Sequence, residues 1–372
     1  MRPRLSFALA LLASTAVAQP PQPGSGPPVT APGAEVDRGE IVNRLADALE
    51  ANFVFPEVAR RYATALRAKA AAGGYAGLGS PQAFAEALTA DLQSIYPDRH
   101  LRVLPPPGAA PSPGAGPGPR LRPALPDPSD FAGESGWIAD GVAYIDLHLF
   151  PGTEASLDAI RRFMGQHGNA RAVIFDLRTH HGGGIAEMNV IFSYLIANET
   201  PLIGTDTRRD VDARARRPGP PPGPGAPPPG GPPDGVATMR PAPGPEGVER
   251  HIHYALPGPA TPLRAAQVYV LTSRRTGSAA EHFALALKRT HRATLIGETT
   301  AGAGHFGGVV PLGGGYSAFI PFGRSFDPDN DREWEGVGVE PDVPVPADQA
   351  LDEALRRLGV GPADRRPLSA AR

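Results

Sequence analysis

Between Val142 and Ile296, short apolar runs alternate with stretches of helical periodicity, and that alternation leaves few folds open. Val142 to Leu147, Ala172 to Leu177, Gln267 to Leu271 and Ala293 to Ile296 read as short buried strands. Ser156 to Met164, Ala186 to Ile196 and Ala279 to Lys288 read as the helices between them. Together they predict an α/β core, whose loops at the carboxyl ends of the strands are where chemistry would sit. A further apolar pair, Val309 to Leu312 and Tyr316 to Pro321, flanks Gly313-Gly314-Gly315 and predicts a β-hairpin.

Ahead of this core the period is helical throughout. Ile41, Leu45 and Leu49 mark one helix, Val58, Tyr62 and Leu66 a second, and Phe84, Leu88, Leu92 and Ile95 a third. Ser80-Pro81 supplies the cap and first residue of the third, and Gly73-Gly74 breaks the chain after the second. A small helical domain over residues 36–103 follows. The 372 residues include 45 glycines and 46 prolines, concentrated in a few stretches that cannot build a core. These are read as a disordered leader over 19–35, a linker over 104–130 and a disordered insertion at about 217–247, looped out of a core that runs over 131–360. Residues 361–372 form a tail.

The amino terminus carries Arg2 and Arg4, then an apolar run from Leu5 to Val17, then the small residues Ala16-Val17-Ala18. That is the form of a secretory signal peptide over 1–18, so an exported protein, periplasmic or extracellular, is expected. With no cysteine, disulfides, thiolate metal ligands and a cysteine nucleophile are excluded. A formal net charge of −2 gives no basic excess for nucleic acid, and no later apolar run is long enough for a stable membrane span. The oligomeric state is left unassigned.

Two loops carry the candidate chemistry. Val268 to Glu281 runs from a strand through a turn into a helix that begins at Ser278. A serine there is by default an N-cap, but the same place also offers a nucleophile the backbone N–H groups and dipole that stabilise an oxyanion. Val173 to Gly184 likewise ends a strand and opens a helix through Gly182-Gly183-Gly184, where a backbone can approach a substrate closely. His180-His181 beside those glycines has no acidic partner at ligand spacing, so no metal is expected.

Asp176-Leu-Arg followed by Gly182-Gly183, then Thr276-Gly-Ser-Ala-Ala-Glu281, then Leu295-Ile-Gly-Glu-Thr-Thr-Ala-Gly302, resembles the catalytic core of the tail-specific, or C-terminal-processing, serine peptidases. Pro321-Phe-Gly-Arg324 and Trp334-Glu-Gly-Val-Gly-Val-Glu-Pro-Asp342 resemble the branch containing tricorn protease and the interphotoreceptor retinoid-binding protein modules. So does the helical segment before Tyr96-Pro-Asp-Arg-His100. The resemblance implies a ClpP/crotonase-like α/β core behind a small helical domain, with no PDZ domain because only the linker stands where one would be inserted. It implies an endopeptidase acting on peptide or protein substrates and needing no cofactor.

By the same resemblance Ser278 is the nucleophile, and the backbone amides of Gly182 or Gly183 and of Ala279 form the oxyanion hole. The processing proteases place a lysine base just after Gly-Glu-Thr-Thr, but here Ala301-Gly302-Ala303-Gly304 stands there, and Lys288 lies about three turns along the helix from Ser278. The tricorn-like branch uses histidine instead, which falls on His100, with a glutamate that falls on Glu335. Glu281 and Glu298 are alternative carboxylates, and His305 is the alternative base. Arg99 stands where tricorn has a serine. A second reading is an inactive protein on the same fold that binds a hydrophobic ligand such as a retinoid or fatty acid.

Overall fold

The computed structural model describes residues 37–109, 130–209, 211 and 238–371. The residues read as a signal peptide and a leader, and most of both proline-glycine stretches, lie outside the described residues.

The chain opens with α1 (Arg38–Asn52), α2 (Pro56–Ala71) and α3 (Pro81–Ile95). Each start is chemically marked. Asp37 accepts from Gly39 N–H at the head of α1, and Ser80 Oγ accepts from Ala83 N–H at 3.1 Å at the head of α3. The buried stripes Ile41-Leu45-Leu49, Tyr62-Leu66 and Phe84-Leu88-Leu92 are the ones the periodicity marks. They do not close on one another alone. Their core also takes in Leu101 and Val103 and, from far along the chain, Leu312, Tyr316, Ala318 and Ile320.

The central sheet is largely parallel. Its parallel strands are β3 (Val142–Leu147), β4 (Ala172–Asp176), β8 (Gln267–Thr272), β9 (Thr294–Gly297) and β13 (Val343–Pro344). On the other edge β2 (Ala132–Ala139) pairs antiparallel with β3, and β14 (Ser369–Ala370) antiparallel with β2, giving the order β13-β9-β8-β4-β3-β2-β14. Every residue of β4 is buried, as a strand covered on both faces requires. Val173, Phe175, Val268 and Val270 face α4 (Glu154–Gln166), α5 (Ala186–Leu195) and α6 (Ala279–Arg289), while Ile174, Tyr269 and Leu271 face α7 (Ala350–Arg357). The strands and helices thus fall where the alternation of apolar runs places them.

A second sheet was only partly legible. The glycine hairpin forms β10 (His305–Gly313) and β11 (Tyr316–Asp327), with Gly313, Gly314 and Gly315 all at positive φ in the turn. The long β11 also pairs with β1 (Arg102–Leu104), β5 (Thr200–Arg208) and β12 (Arg332–Glu333), and β5 continues to β7 (Val248–Ala255) and β6 (Met239–Ala242). One expectation is corrected here. Residues 239–242, assigned to a disordered insertion, form an edge strand on β7, where Pro241 is tolerated. Thr238 is buried, and its carbonyl accepts from Tyr254 N–H at 2.8 Å. No helix among the described residues is long and apolar enough to cross a membrane.

Candidate active site

The loops after β4 and β8 are laced together at the carboxyl edge of the central sheet. Thr276 Oγ1 donates to Leu177 O at 2.7 Å, Ser273 Oγ to Arg178 O at 2.5 Å, and Gly277 N–H to His180 O at 3.1 Å. Ser278 stands at the head of α6 with φ +57° and ψ −122°, a backbone region that a side-chain-bearing residue rarely adopts. Its hydroxyl makes no hydrogen bond among the described residues, so it does not cap the helix. Capping runs the other way: Ser278 N–H donates to Glu281 Oε2 at 2.8 Å.

Glu281 does more than cap. Its two oxygens also accept from Thr300 Oγ1 at 2.5 Å, Gly302 N–H at 2.7 Å and Ala303 N–H at 2.7 Å. Burial pushes its carboxyl upward, and these hydrogen bonds oppose that. The alternative carboxylate therefore fixes the 300–303 loop against the serine. Glu298 lies elsewhere, in a cleft with Arg178 and Arg274, and accepts from Arg274 N–H at 3.3 Å.

The glycine loop lies directly against the serine. A Cβ on Gly182 would sit 2.8 Å from Ser278 Cβ, and one on Gly183 2.1 Å from Phe150 O. Gly182 N–H is already engaged, donating to His180 Nδ1 at 3.0 Å. Gly183 and Ala279 both line a cavity of about 440 Å³ with Ser278. His180 is buried and held neutral, its pKa lowered to about 3 by desolvation, and its Nδ1 is the nitrogen that holds the loop.

His100 is not among the residues lining that cavity. Its ring stacks on Phe319 with centroids 5.6 Å apart, and its Nδ1 is buried without a partner. Burial lowers its pKa to about 4, with Asp98 opposing, so it is neutral at pH 7. No hydrogen bond joins it to Ser278 or to Glu335 among the described residues. Glu335 instead accepts from Arg99 N–H at 2.6 Å through Oε1, and from Gly304 N–H at 2.7 Å and His305 N–H at 3.0 Å through Oε2. It ties the segment carrying His100 to the cavity wall. Lys288 is turned away, donating to Glu340 O at 2.6 Å.

His305 lines the cavity but is charged. Burial alone would lower its pKa, yet hydrogen bonds to Asp98 at 2.6 Å and Glu333 at 3.3 Å, with the nearby carboxylate charges, carry it up to about 9. An imidazolium cannot accept a proton, so His305 is a poor general base at neutral pH. Asp98, His305 and Glu335 bring one donor atom each within 4.8 Å of one another, the spacing of a metal cluster. Their atoms are spent on one another and on backbone amides, which is the arrangement of a hydrogen-bonded cluster rather than of waiting ligands. Sequence reasoning missed His282, which also lines the cavity. The signal was available: four residues separate it from Ser278, one helical turn.

A strained serine at a helix head, backed by two glycines that admit no side chain, defines the class of site: a hydroxyl presented to a cavity beside free backbone amides. Residues 141–345 match the model of peptidase family S41, and residues 36–130 match the N-terminal domain of peptidase S41 in eukaryotic IRBP. The first match covers more than half of the chain, which therefore belongs to peptidase family S41. The chain is 34% identical over 100 residues to the chloroplastic carboxyl-terminal-processing peptidase 1 of Arabidopsis thaliana, a match spanning 27% of this chain and 20% of that protein. A solved structure from Parabacteroides merdae is similar with a TM-score of 0.57 at 16% identity, over 87% of this chain and 97% of that one. The photosystem II D1 C-terminal processing protease superposes with a TM-score of 0.49 at 15% identity, over 88% and 99% of the two chains.

Proposed function

We propose that this protein is a serine-type endopeptidase that cuts exported or envelope proteins. The observation that carries the proposal is Ser278 itself, held at φ +57° with an unengaged hydroxyl on a cavity, against Gly182 and Gly183. Backbone strain of about 1–3 kcal/mol at such a position persists only where the surroundings impose it, and here Glu281 and the glycine loop do so. Ser278 Oγ attacks the scissile carbonyl. The Gly183 and Ala279 N–H groups receive the oxyanion, since Gly182 N–H is committed to His180.

His100 takes the serine proton and returns it to the leaving amine; water then hydrolyses the acyl-enzyme by the reverse transfer. Its neutrality and its unpartnered buried nitrogen support this role. Hydrogen bonds between nucleophile and base often tighten only when substrate is bound. Glu335 supplies the carboxylate of the relay, holding Arg99, and so the backbone that carries His100, beside the cavity wall.

Hydrolysis of casein and of short peptides by the purified protein tests the reading. Turnover that Ser278→Ala reduces by about 10⁴ or more is the expected result. A second reading, carriage of a hydrophobic ligand, draws on Ile185, Met239, Phe306 and Trp334 in the cavity wall. It is favoured instead if peptides are untouched while a fatty acid or retinoid binds.

A further inference from the structure

The cavity beside Ser278 has a wall that the proposed relay does not use. His282 lies one turn along α6 and is only 7% exposed. Its Nε2 is 2.8 Å from His253 Nδ1, and the Nε2 of fully buried His253 is 2.7 Å from Asn189 Oδ1. Asn189 Nδ2 donates to Thr238 Oγ1 at 3.2 Å, with the amide oxygen on the side of His253.

With the amide in that orientation, the protons along the chain of rings are ordered. An amide oxygen only accepts, so His253 carries its hydrogen on Nε2 and leaves Nδ1 as a lone pair. The lone pair receives a hydrogen from His282 Nε2. His282 Nδ1, across the ring, is therefore an unprotonated acceptor, and it has no partner among the described residues. Burial keeps both rings neutral: it lowers the pKa of His253 to about 4 and that of His282 well below its ordinary value. The same cavity presents apolar surface from Ile185, Met239, Phe306 and Trp334.

We propose that this cavity seats a tyrosine side chain of the substrate, its ring against the apolar residues and its phenol donating to His282 Nδ1. The proposal rests on reading the cavity as the seat of a peptide, and it goes further by naming the side chain. His253 and Asn189 are positioning residues that fix which nitrogen of His282 is the acceptor. Selection arises because a phenylalanine of nearly the same shape displaces water from Nδ1 and leaves it unpaired, a cost that tyrosine avoids.

The test measures binding rather than turnover, so that it stands apart from the peptidase reading. Dissociation constants are measured on Ser278→Ala protein for matched peptides carrying tyrosine, phenylalanine or 4-methoxyphenylalanine at one position. Tyrosine is expected to bind on the order of tenfold more tightly than phenylalanine. The methoxy peptide, which lacks the donor, should bind no better than phenylalanine. In the double variant with His282→Leu the tyrosine-to-phenylalanine ratio should fall to about one. Equal binding of tyrosine and phenylalanine overturns the proposal, as does absence of binding by all three. The methoxy comparison keeps the test decisive even if His282→Leu does not fold. Cleavage assays on the unmodified protein judge the peptidase reading separately.

Discussion

Glu281 Oε2 accepts the backbone N–H of Ser278 at 2.8 Å, so the carboxylate that caps α6 also sets the backbone of the residue proposed as nucleophile. Three further donors, Thr300 Oγ1 and the Gly302 and Ala303 N–H groups, converge on the same side chain. Glu281→Ala leaves all four donors, those of Thr300 and Gly302 buried, without an acceptor and is expected to cost about 3–5 kcal/mol in urea unfolding. Glu281→Gln, which presents an amide nitrogen to donors, should fall between wild type and alanine. A change below about 1 kcal/mol for both would show that the loop is held by other means.

The two glycines facing the site should respond differently from their neighbour. Gly183→Ala puts a methyl 2.1 Å from Phe150 O at φ +123°, so a loss of about 3 kcal/mol or more is expected from overpacking and strain together. At Gly184 the nearest atom to an added Cβ is Phe150 O at 3.8 Å, and alanine there should stay within about 1 kcal/mol. Thermal unfolding of the two variants side by side decides this. Equal stability would mean that the loop moves freely away from Phe150.

Stability should fall in mildly alkaline solution because of His305. Its folded pKa of about 9 lies above the unfolded value near 6.5, so its contribution is fully present below about pH 6.5 and is lost as pH rises through 9. The change is at most about 3 kcal/mol between those limits. Urea unfolding at a series of pH values, repeated with His305→Gln, checks it: the variant should lack the alkaline decline. A parallel decline in both proteins would assign it to other groups.

The pH profile of hydrolysis reports on the base. With the His100 pKa lowered to about 4, kcat/KM should stay level from neutral pH down to about 5 and fall only below that. His100→Ala should cost nearly as much activity as Ser278→Ala, with little further loss in the double variant, because members of one relay are not additive. Glu335→Gln should cost less. An acid limb near 6 to 7, or full activity in His100→Ala, would point to another proton acceptor.

The central sheet was legible because its strands are covered on both faces and read as unbroken apolar runs, as Ala172–Asp176 shows. The hairpin was legible through its three glycines, but most of the sheet it joins was not. Pairing of β5 with β7 and with β11 is set by partners distant in the chain, and the brief Met239–Ala242 strand is hidden among prolines and glycines. Within the site, Ser278 could be placed at a helix head, but cap and nucleophile predict the same local sequence. What separates them is φ at Ser278 and the direction of the Glu281 hydrogen bond, neither of which a residue pattern encodes. The charge on His305 was equally hidden, because it comes from Asp98, which is 207 residues away in the chain.

The central claim is that Ser278 is the nucleophile, and reaction with a fluorophosphonate tests it most directly. Intact-mass and peptide analysis of the treated wild-type protein should show one adduct, located on Ser278, with hydrolysis lost in step with labelling. Ser278→Ala, folded and treated identically, should take up none. A wild-type protein that stays unlabelled, or a Ser278→Ala protein that still hydrolyses peptides, would contradict the account.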